Sequence, residues 1–559
     1  MIEHMQRREP SFVELSPRER LASLLDPGFE ELVDPFCRVG SPWLERQGLV
    51  PQSDDGVIVV RGFIDGAETV AIAIEPSFEG GSIGEVGGAK IANALRLAAE
   101  ASRKGNATPA LMLLETGGVR LGEANLGLAA IASIQTAIVE LRELAPVIAV
   151  VAGPTGCFGG MSLAASLCTS IIGTPHGRLG MNGPEVIEQE AGPEELDATD
   201  RQQIWRLVGC EARLRDGFVD AVSEDAAASV LAAVRHALSV GVSPPKRILH
   251  ERERLAGLRR RFKRKAPIDA QPPGRAGRWL ELLCGHTAQI ALDTPSVLHG
   301  KAHLNNGSHL EAALALAISP DAASAFPRAS HGEMGLEQAL ALAACIRTWL
   351  EREDVKGTHR PILALVDTPG QAFGRIEEEL CISAACASAV DAYAEARRAG
   401  HPVITLVVGK AISGSFLAHG LQSDIILALD VPGVIMHAMS QESIARITRR
   451  TVAEVSAAAE AVPPMSYSIT QAHQLGIIHT LIPDVPADTP NPAEVALVQA
   501  ALNDALTQLR NGTLVDPTKD NPLRAATATV EQMMRTQWHA IDAQRIQSKG
   551  ESLIHAGNL

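Results

Sequence analysis

The sequence predicts an α/β protein built as two tandem domains of the same kind. The stretch Pro109–Gly118, Pro-Ala-Leu-Met-Leu-Leu-Glu-Thr-Gly-Gly, recurs as Pro361–Gly370, Pro-Ile-Leu-Ala-Leu-Val-Asp-Thr-Pro-Gly. Each copy is a short apolar run, as expected of a fully buried strand, and each ends on an acid, a threonine and glycine. A second shared block follows, at Pro146–Gly153 and Pro402–Gly409, with one Ala-rich helical stretch between the blocks in both halves. Strands alternating with helices imply layered α/β architecture with right-handed crossovers. At 559 residues the chain is too long for one core. Size alone allows roughly three or four domains, but the repeat argues for two units of roughly 250 residues. The expected division is residues 1–240, a basic, proline-containing linker over 241–284, and residues 285–559.

The elements follow in order. Ser16 before Pro17 reads as an N-cap followed by proline at the first helical position. Val57–Val60 and Val70–Ile74 read as strands joined through Asp65-Gly66, a hairpin signal. Phe78–Gly88 is glycine-rich and opens a helix over Ala89–Ser102. Strand Ala110–Leu114 leads into a helix over Ala124–Leu144, and strand Val147–Val151 into a helix over Met161–Leu167. Ile171-Ile172 and a helix over Ala226–Ser239 close the first half. Lys246–Lys265 is a dense basic run followed by a proline-rich break at Gln271–Gly274. It reads either as a solvated helix plus linker or as a surface for an acidic carrier protein or phosphate groups. The second half repeats strand, turn and helix through Leu363, Gly370, Leu406 and Gly414. Amphipathic helical sequence at Ala493–Leu509 precedes a polar, weakly patterned tail of roughly fifty residues.

Composition narrows the function. Hydrophobic residues at 46% supply ample core, and aromatics at 3% with 48 glycines point to close helix–strand packing. A net charge of −15 argues against a nucleic-acid partner. The eight cysteines form no Cys-x-x-Cys pair, so Cys157, Cys168 and Cys210 read as buried reduced thiols and no zinc site is expected. Neither an apolar signal core nor a membrane-spanning run is expected, which reads as cytoplasmic.

Each half presents two glycine turns after adjacent strands. These are Thr116–Arg120 and Gly156–Gly160 in the first half, and Thr368–Gln371 and Lys410–Ser415 in the second. Glycine lets backbone approach a ligand closely, and a helix starting after the turn aims free N–H groups at it. Such donors suit a developing oxyanion, where losing one typically costs about 3 kcal/mol of barrier. The alternative, that these glycines only permit tight packing, is weakened by four turns in duplicate. No nucleophile motif is visible, and Gly80–Glu85 has neither the lysine nor the spacing of a phosphate loop. The histidines (His303, His309, His331, His419, His437) are dispersed without metal spacing.

These residues also resemble a known family. Glu14-Leu15, Arg18–Arg20 and Leu24–Gly28 are similar to the N-terminal helix of acyl-CoA carboxyltransferases. Gly80–Glu85 with Gly88–Ile91, and Thr116–Arg120, resemble the same family. Val366–Gly370 and Lys410–Phe416 resemble its carboxyl-terminal domain. Within that superfamily, Gly153–Gly160 and Gly370–Gly374 look most like the β and γ subunits of biotin-independent malonate decarboxylases, here joined in one chain. Ser413-Gly414-Ser415 stands where biotin-using relatives usually carry Gly-Gly-Ala.

The resemblance implies two crotonase-like (ClpP/crotonase, carboxyltransferase-type) domains with the active site between them. It implies decarboxylation of malonyl-S-acyl carrier protein to the acetyl thioester and carbon dioxide, through an enolate. Gly414 and Ser415 would hold the thioester oxygen, and Gly117 and Gly118 would form a second hole. Gly81, Ser82, Gly84 and Glu85 would line the pantetheine arm, with Gly159 and Gly160 supporting the wall. Arg120, Gly370 and Lys410 join the substrate-binding set. Ser413, His419 or a bound water would protonate the enolate. The chain itself would bind no cofactor, biotin or metal; the CoA-derived phosphopantetheine-type group belongs to the substrate. The implied partners are an acyl carrier protein subunit and a malonate-loading transferase subunit, and a homo-oligomer is admitted. The competing readings are a biotin-dependent carboxyltransferase component and a non-catalytic scaffold for CoA-type ligands.

Overall fold

The structure, a computed structural model, describes residues 10–265 and 273–556. The first sheet has seven strands in chain order: β1 (Glu30–Leu32), β2 (Val57–Ile64), β3 (Ala67–Ile74), β4 (Ala110–Leu113), β5 (Val147–Val151), β6 (Ser170–Gly173) and β7 (Ala221–Val222). β1, β2 and β3 pair antiparallel; from β3 onward the neighbours are parallel. Asp65 and Gly66 take φ of 50° and 76°, the left-handed pair a two-residue hairpin requires.

The second sheet repeats the plan with β8 (Gln289–Ala291), β9 (Thr294–Asn305), β10 (Leu310–Ile318), β11 (Ile362–Thr368), β12 (Val403–Ile412), β13 (Ile425–Asp430), β14 (Ile435–His437) and β15 (Thr480–Pro483). Its order is β8-β9-β10-β11-β12-β13-β15, with β14 beside the end of β12. An antiparallel hairpin feeds a parallel run in both halves: Val70 faces Ala110 in one, and Leu314 faces Ile362 in the other.

The halves meet through the helices that leave the glycine turns. Helices Ala124–Arg142 and Gly160–Leu167 of the first half pack against Ile382–Arg398 and Ser413–Ala418 of the second. Ala124–Arg142 lies within a stretch apolar and long enough to cross a membrane, but 78% of that window is buried inside the molecule. Polar ties cross the same boundary. Arg142 pairs with Asp391, Gln422 donates to Gln135 at 3.2 Å, and Asn125 donates to the Ser466 carbonyl at 2.7 Å. At the centre, fully buried Glu378 of the second half lies 3.5 Å from fully buried Arg213 of the first. Arg213 also donates to the carbonyls of Leu179 and Glu378.

Two segments depart from the sequence expectation. The basic run carries helix Glu251–Arg261 and is only in part a solvated face: Arg252, Arg260, Arg261 and Lys263 are exposed, but several of its arginines also tie the run to the rest of the molecule. Arg247 reaches Asp220 and the Cys168 carbonyl, Arg252 reaches Thr348, Arg259 the Leu292 carbonyl and Thr294, Arg261 Glu379, and Arg264 Asp321. The expected linker is also partly core. Helix Arg275–Cys284 packs on β9 to β12, and its Trp279 is buried with the indole N–H donated to the Ala487 carbonyl at 2.8 Å. Gln271 and Pro272 of the proline-rich break lie outside the described residues.

The polar tail is helix Ala525–Ala556, which returns to the first half against Glu85–Arg103. Val530, Met534, Trp538 and Ile541 are buried along one stripe, too narrow to dominate the polar composition. Arg61 donates to the Trp538 carbonyl at 2.9 Å and pairs with Asp542, while Thr527 donates to Glu85 at 2.7 Å.

Removing one partner of a buried ion pair strands the other charge and costs about 3–5 kcal/mol. Arg213→Ala is therefore expected to lower the unfolding free energy by that much, read as a fall in the denaturant midpoint at unchanged m. An unchanged midpoint would show that the pair does not hold the halves together.

Candidate active site

All four glycine turns lie at the carboxyl ends of parallel strands, and the packing of the two halves brings them together. In the first half the turns are laced by backbone pairs: Thr116 N–H donates to the Gly156 carbonyl at 2.8 Å, and Phe158 N–H to the Thr116 carbonyl at 3.0 Å. A Cβ on Gly118, whose φ is 103°, would meet Gly159 Cα and the Phe158 carbonyl oxygen at 3.2 Å. The halves then interlock reciprocally. A Cβ on Gly160 would meet Leu417 Cδ1 of the second half at 2.5 Å, and one on Gly414 would meet Met181 Cε of the first at 2.0 Å.

Between these turns lies a cavity of about 340 Å³, lined by Gly117, Gly159, Gly160, Gln371, Ser413 and Gly414. Leu121, Leu128, Phe158, Met181 and Leu417 give it an apolar wall. A second cavity of about 460 Å³ shares Asn182, Gln371, Ser413 and Met439 with the first. It adds Gly370, Lys410, Arg328, Glu333 and Phe373. The two form adjoining chambers around Gln371 and Ser413.

The backbone donors are not placed as expected. Gly117 N–H is held by the Gly80 carbonyl at 3.0 Å, and Gly118 N–H by the Thr116 hydroxyl at 3.0 Å. Both are spent on closing the turn, so the pair does not form a second oxyanion hole. Gly159 N–H is likewise spent on the Met181 carbonyl at 3.0 Å. Gly160, the first residue of its helix, has an N–H with no acceptor among the described residues and lines the cavity. In the second half Gly414 N–H donates to Gln371 Oε1 at 3.0 Å. An amide oxygen of the chain itself thus occupies the place expected for a thioester oxygen. Ser415 is buried, its hydroxyl bound to the Ile412 carbonyl at 2.6 Å and beside Thr368 at 2.9 Å. Ser413 lines both cavities and takes φ of 59°, a left-handed conformation costly for a residue with a Cβ.

Several expected substrate contacts are structural supports instead. Arg120 is buried, bonded to Asp55 at 2.7 Å, Glu123 at 2.8 Å and the Ser82 carbonyl at 3.0 Å. Glu85 accepts from the Trp43 indole and the Thr527 hydroxyl. A Cβ on Gly81 would meet the Glu115 carbonyl oxygen at 2.1 Å, and one on Gly84 would meet Glu123 Oε2 at 1.9 Å. Gly81, Ser82, Gly84, Glu85 and Arg120 therefore brace the turn at Gly117-Gly118 from behind and line neither of the two cavities above. Gly370 and Lys410 do line one.

His419 is not a proton donor to the cavity. Its Nε2–H donates to the Leu365 carbonyl at 3.1 Å, its Nδ1 accepts from the Tyr393 hydroxyl at 2.8 Å, and burial pushes it down to about 4. His437 is buried and also held near 4, between the Met439 and Met465 carbonyls.

Sequence reasoning missed the polar chain that sets Gly414. Glu378 accepts from Met181 N–H at 3.1 Å and Asn182 N–H at 2.7 Å. Burial pushes its carboxyl up, against the opposing pull of Arg213 and these donors. Asn182 Nδ2 donates to Glu378 and to the Ala372 carbonyl, and its Oδ1 accepts from Gln371 Nε2 at 3.0 Å. No motif marks Asn182 or Glu378, because each matters only through the other half.

The carboxyl transferase domain family matches residues 14–240, and the malonate decarboxylase gamma subunit family matches residues 329–538. The malonyl-S-ACP:biotin-protein carboxyltransferase MADC of Malonomonas rubra is 40% identical over 220 residues, 37% of this chain and 69% of that protein. Its counterpart MADD from the same organism is 36% identical over 163 residues, 29% of this chain and 56% of that protein. A chain of a Pseudomonas malonate decarboxylase hetero-tetramer solved with malonate is 54% identical, with 47% of this chain and 94% of that one covered and a TM-score of 0.44. The chain belongs to the malonate decarboxylase family of carboxyl transferases, with a β-type and a γ-type half joined in a single crotonase-superfamily polypeptide.

Proposed function

We propose that the chain decarboxylates a malonyl thioester carried on an acyl carrier protein, giving the acetyl thioester and carbon dioxide without biotin. The observation that carries this reading is the Gln371 amide oxygen at 3.0 Å from Gly414 N–H, in a cavity shared by both halves. A carbonyl-type oxygen is already accommodated there, and a thioester oxygen entering the cavity would displace it. As the carbon–carbon bond breaks, charge moves onto that oxygen, and a fixed backbone donor contributes most at that moment. The apolar wall of Leu121, Leu128, Phe158, Met181 and Leu417 supports the same step. A carboxylate loses hydration there while neutral carbon dioxide does not need it. Gly160 N–H, without an acceptor among the described residues, is a first-half donor that would orient the departing carboxylate.

The partners in this reading are a carrier protein and a malonate-loading transferase, and the chain works in the cytoplasm with no resident biotin or metal. The Pseudomonas relatives were solved as a hetero-tetramer and as an MdcD–MdcE hetero-dimer, and here β- and γ-type halves share one chain. Since Arg259 and Arg261 are bound within the chain, they are not assigned to carrier docking. A second reading is carboxyl transfer to a biotin protein, favoured by the activity named for the two Malonomonas relatives.

Carbon dioxide release from malonyl-carrier protein in the presence of avidin separates the two. Undiminished release is expected, and release abolished by avidin would favour carboxyl transfer. Gly414→Ala is expected to lower kcat by about 10²–10³-fold by pushing Met181 and the turn apart; wild-type turnover in that variant would remove Gly414 from the oxyanion role. Replacing Arg259 and Arg261 with alanine is expected to lower Tm and to reduce turnover of carrier-bound and free malonyl-CoA equally. A loss confined to the carrier-bound substrate would restore them as a docking surface.

A further inference from the structure

The enolate left by decarboxylation needs a proton on carbon, and the structure rules out His419. Glu333 is the carboxyl on the wall of the larger cavity best able to supply it. The second half carries Gly332-Glu333-Met334-Gly335 where the first carries Gly81-Ser82-Ile83-Gly84. The backbone equivalence is direct. Ile83 N–H donates to the Gly118 carbonyl and its carbonyl accepts from Arg120 N–H. Met334 N–H donates to the Gly370 carbonyl and its carbonyl accepts from Ala372 N–H. Ser82 braces its turn from behind, whereas Glu333 lines the cavity with Gly370, Gln371 and Ser413. It also directly precedes Met334, the residue whose backbone pairs with Gln371.

The other carboxyls around that cavity are committed or solvated. Glu190 accepts from Ser443 at 2.7 Å and pairs with Arg446, and Glu442 is exposed. Glu333 is 13% exposed, and its Oε2 is buried without any hydrogen bond. Arg328 Nε stands 3.8 Å away, too far for a hydrogen bond, with its guanidinium 3.5 Å over the Phe373 ring. A buried carboxylate whose oxygen lacks a hydrogen bond is costly even beside a distant arginine, so the site favours the neutral acid. Burial, assisted by Glu190 and opposed by Arg328, pushes Glu333 up to about 7. Lys410 and Glu442 are the remaining charges around the same cavity.

We propose that Glu333 is the general acid that protonates the enolate carbon. The inference rests on the decarboxylase reading above. The bond between the malonyl methylene carbon and its carboxylate breaks, carbon dioxide leaves, and the electron pair stays on the enolate. That pair takes the Glu333 proton to form the acetyl methyl group, and the resulting carboxylate regains a proton from water at the open mouth of the cavity.

Two measurements on the full chain test this: carbon dioxide release from malonyl-carrier protein, and deuterium entry into the methyl group of acetyl-carrier protein in heavy water. Glu333→Gln, with an unchanged Tm, is expected to lower kcat about 10²-fold or more, with KM within twofold, and to abolish exchange; Glu333→Asp should restore part of both. The acid form is the active one, so wild-type kcat is expected to fall as pH rises through about 7, and Glu333→Gln should lose that inflection. Wild-type rate or a retained inflection in Glu333→Gln would overturn the assignment, as would absence of exchange in the wild type. Glu333-dependent exchange without carbon dioxide release would instead uphold Glu333 and overturn the decarboxylase reading.

Discussion

The carboxylate of Glu378 is carried across the boundary between the halves and buried completely in the other one. Taking a charge out of water costs several kcal/mol, and the arrangement persists only because Arg213 and three N–H donors surround it. Those donors belong to Met181 and Asn182, so the same contact fixes the first-half segment that touches the second-half turn. Asn182 then orients Gln371, and Gln371 meets Gly414 N–H. The position of one backbone donor thus depends on an ion pair several residues away in both chains of contact.

The repeat explains why such a site can form at all. Two similar sheets each present glycine turns at the carboxyl ends of parallel strands, and ligands of open α/β sheets gather there. Packing the halves through the helices that leave those turns sets the turns face to face. The duplication does not make the halves equivalent in chemistry. On the first-half side Gly117, Gly118 and Gly159 spend their N–H groups on closing turns, leaving Gly160; on the other side Gly414 is held by a side chain.

What the sequence made legible was local and repeated. Hairpin Asp65-Gly66, the buried runs Ala110–Leu113 and Val147–Val151, and the Ser16 cap each follow from a pattern a few residues long. The glycine turns were visible as turns, but which N–H stays free was not, since that depends on Gly80 and Met181 approaching from elsewhere. Arg120 and Glu85 are expected as ligands through the family resemblance alone, from the motifs Gly80–Glu85 and Thr116–Arg120. In three dimensions each is enclosed by partners distant in sequence, from Asp55 to Thr527. Glu333 had a signal that could have been used: the second copy of a Gly-x-x-Gly block with an acid in place of Ser82.

The return of helix Ala525–Ala556 to the first half sets the order in which the molecule can be completed. A ribosome delivers the first sheet long before the segment that covers it. Val33, Arg61 and Glu85 therefore wait for Gln537, Asp542 and Thr527, which are made hundreds of residues later. Contacts of such sequence separation close slowly, because the chain entropy of the intervening loop is lost before the contact forms. During synthesis the first half carries an uncovered flank on its Glu85–Arg103 helix until helix Ala525–Ala556 is made, and transiently exposed surface of this kind is prone to aggregation.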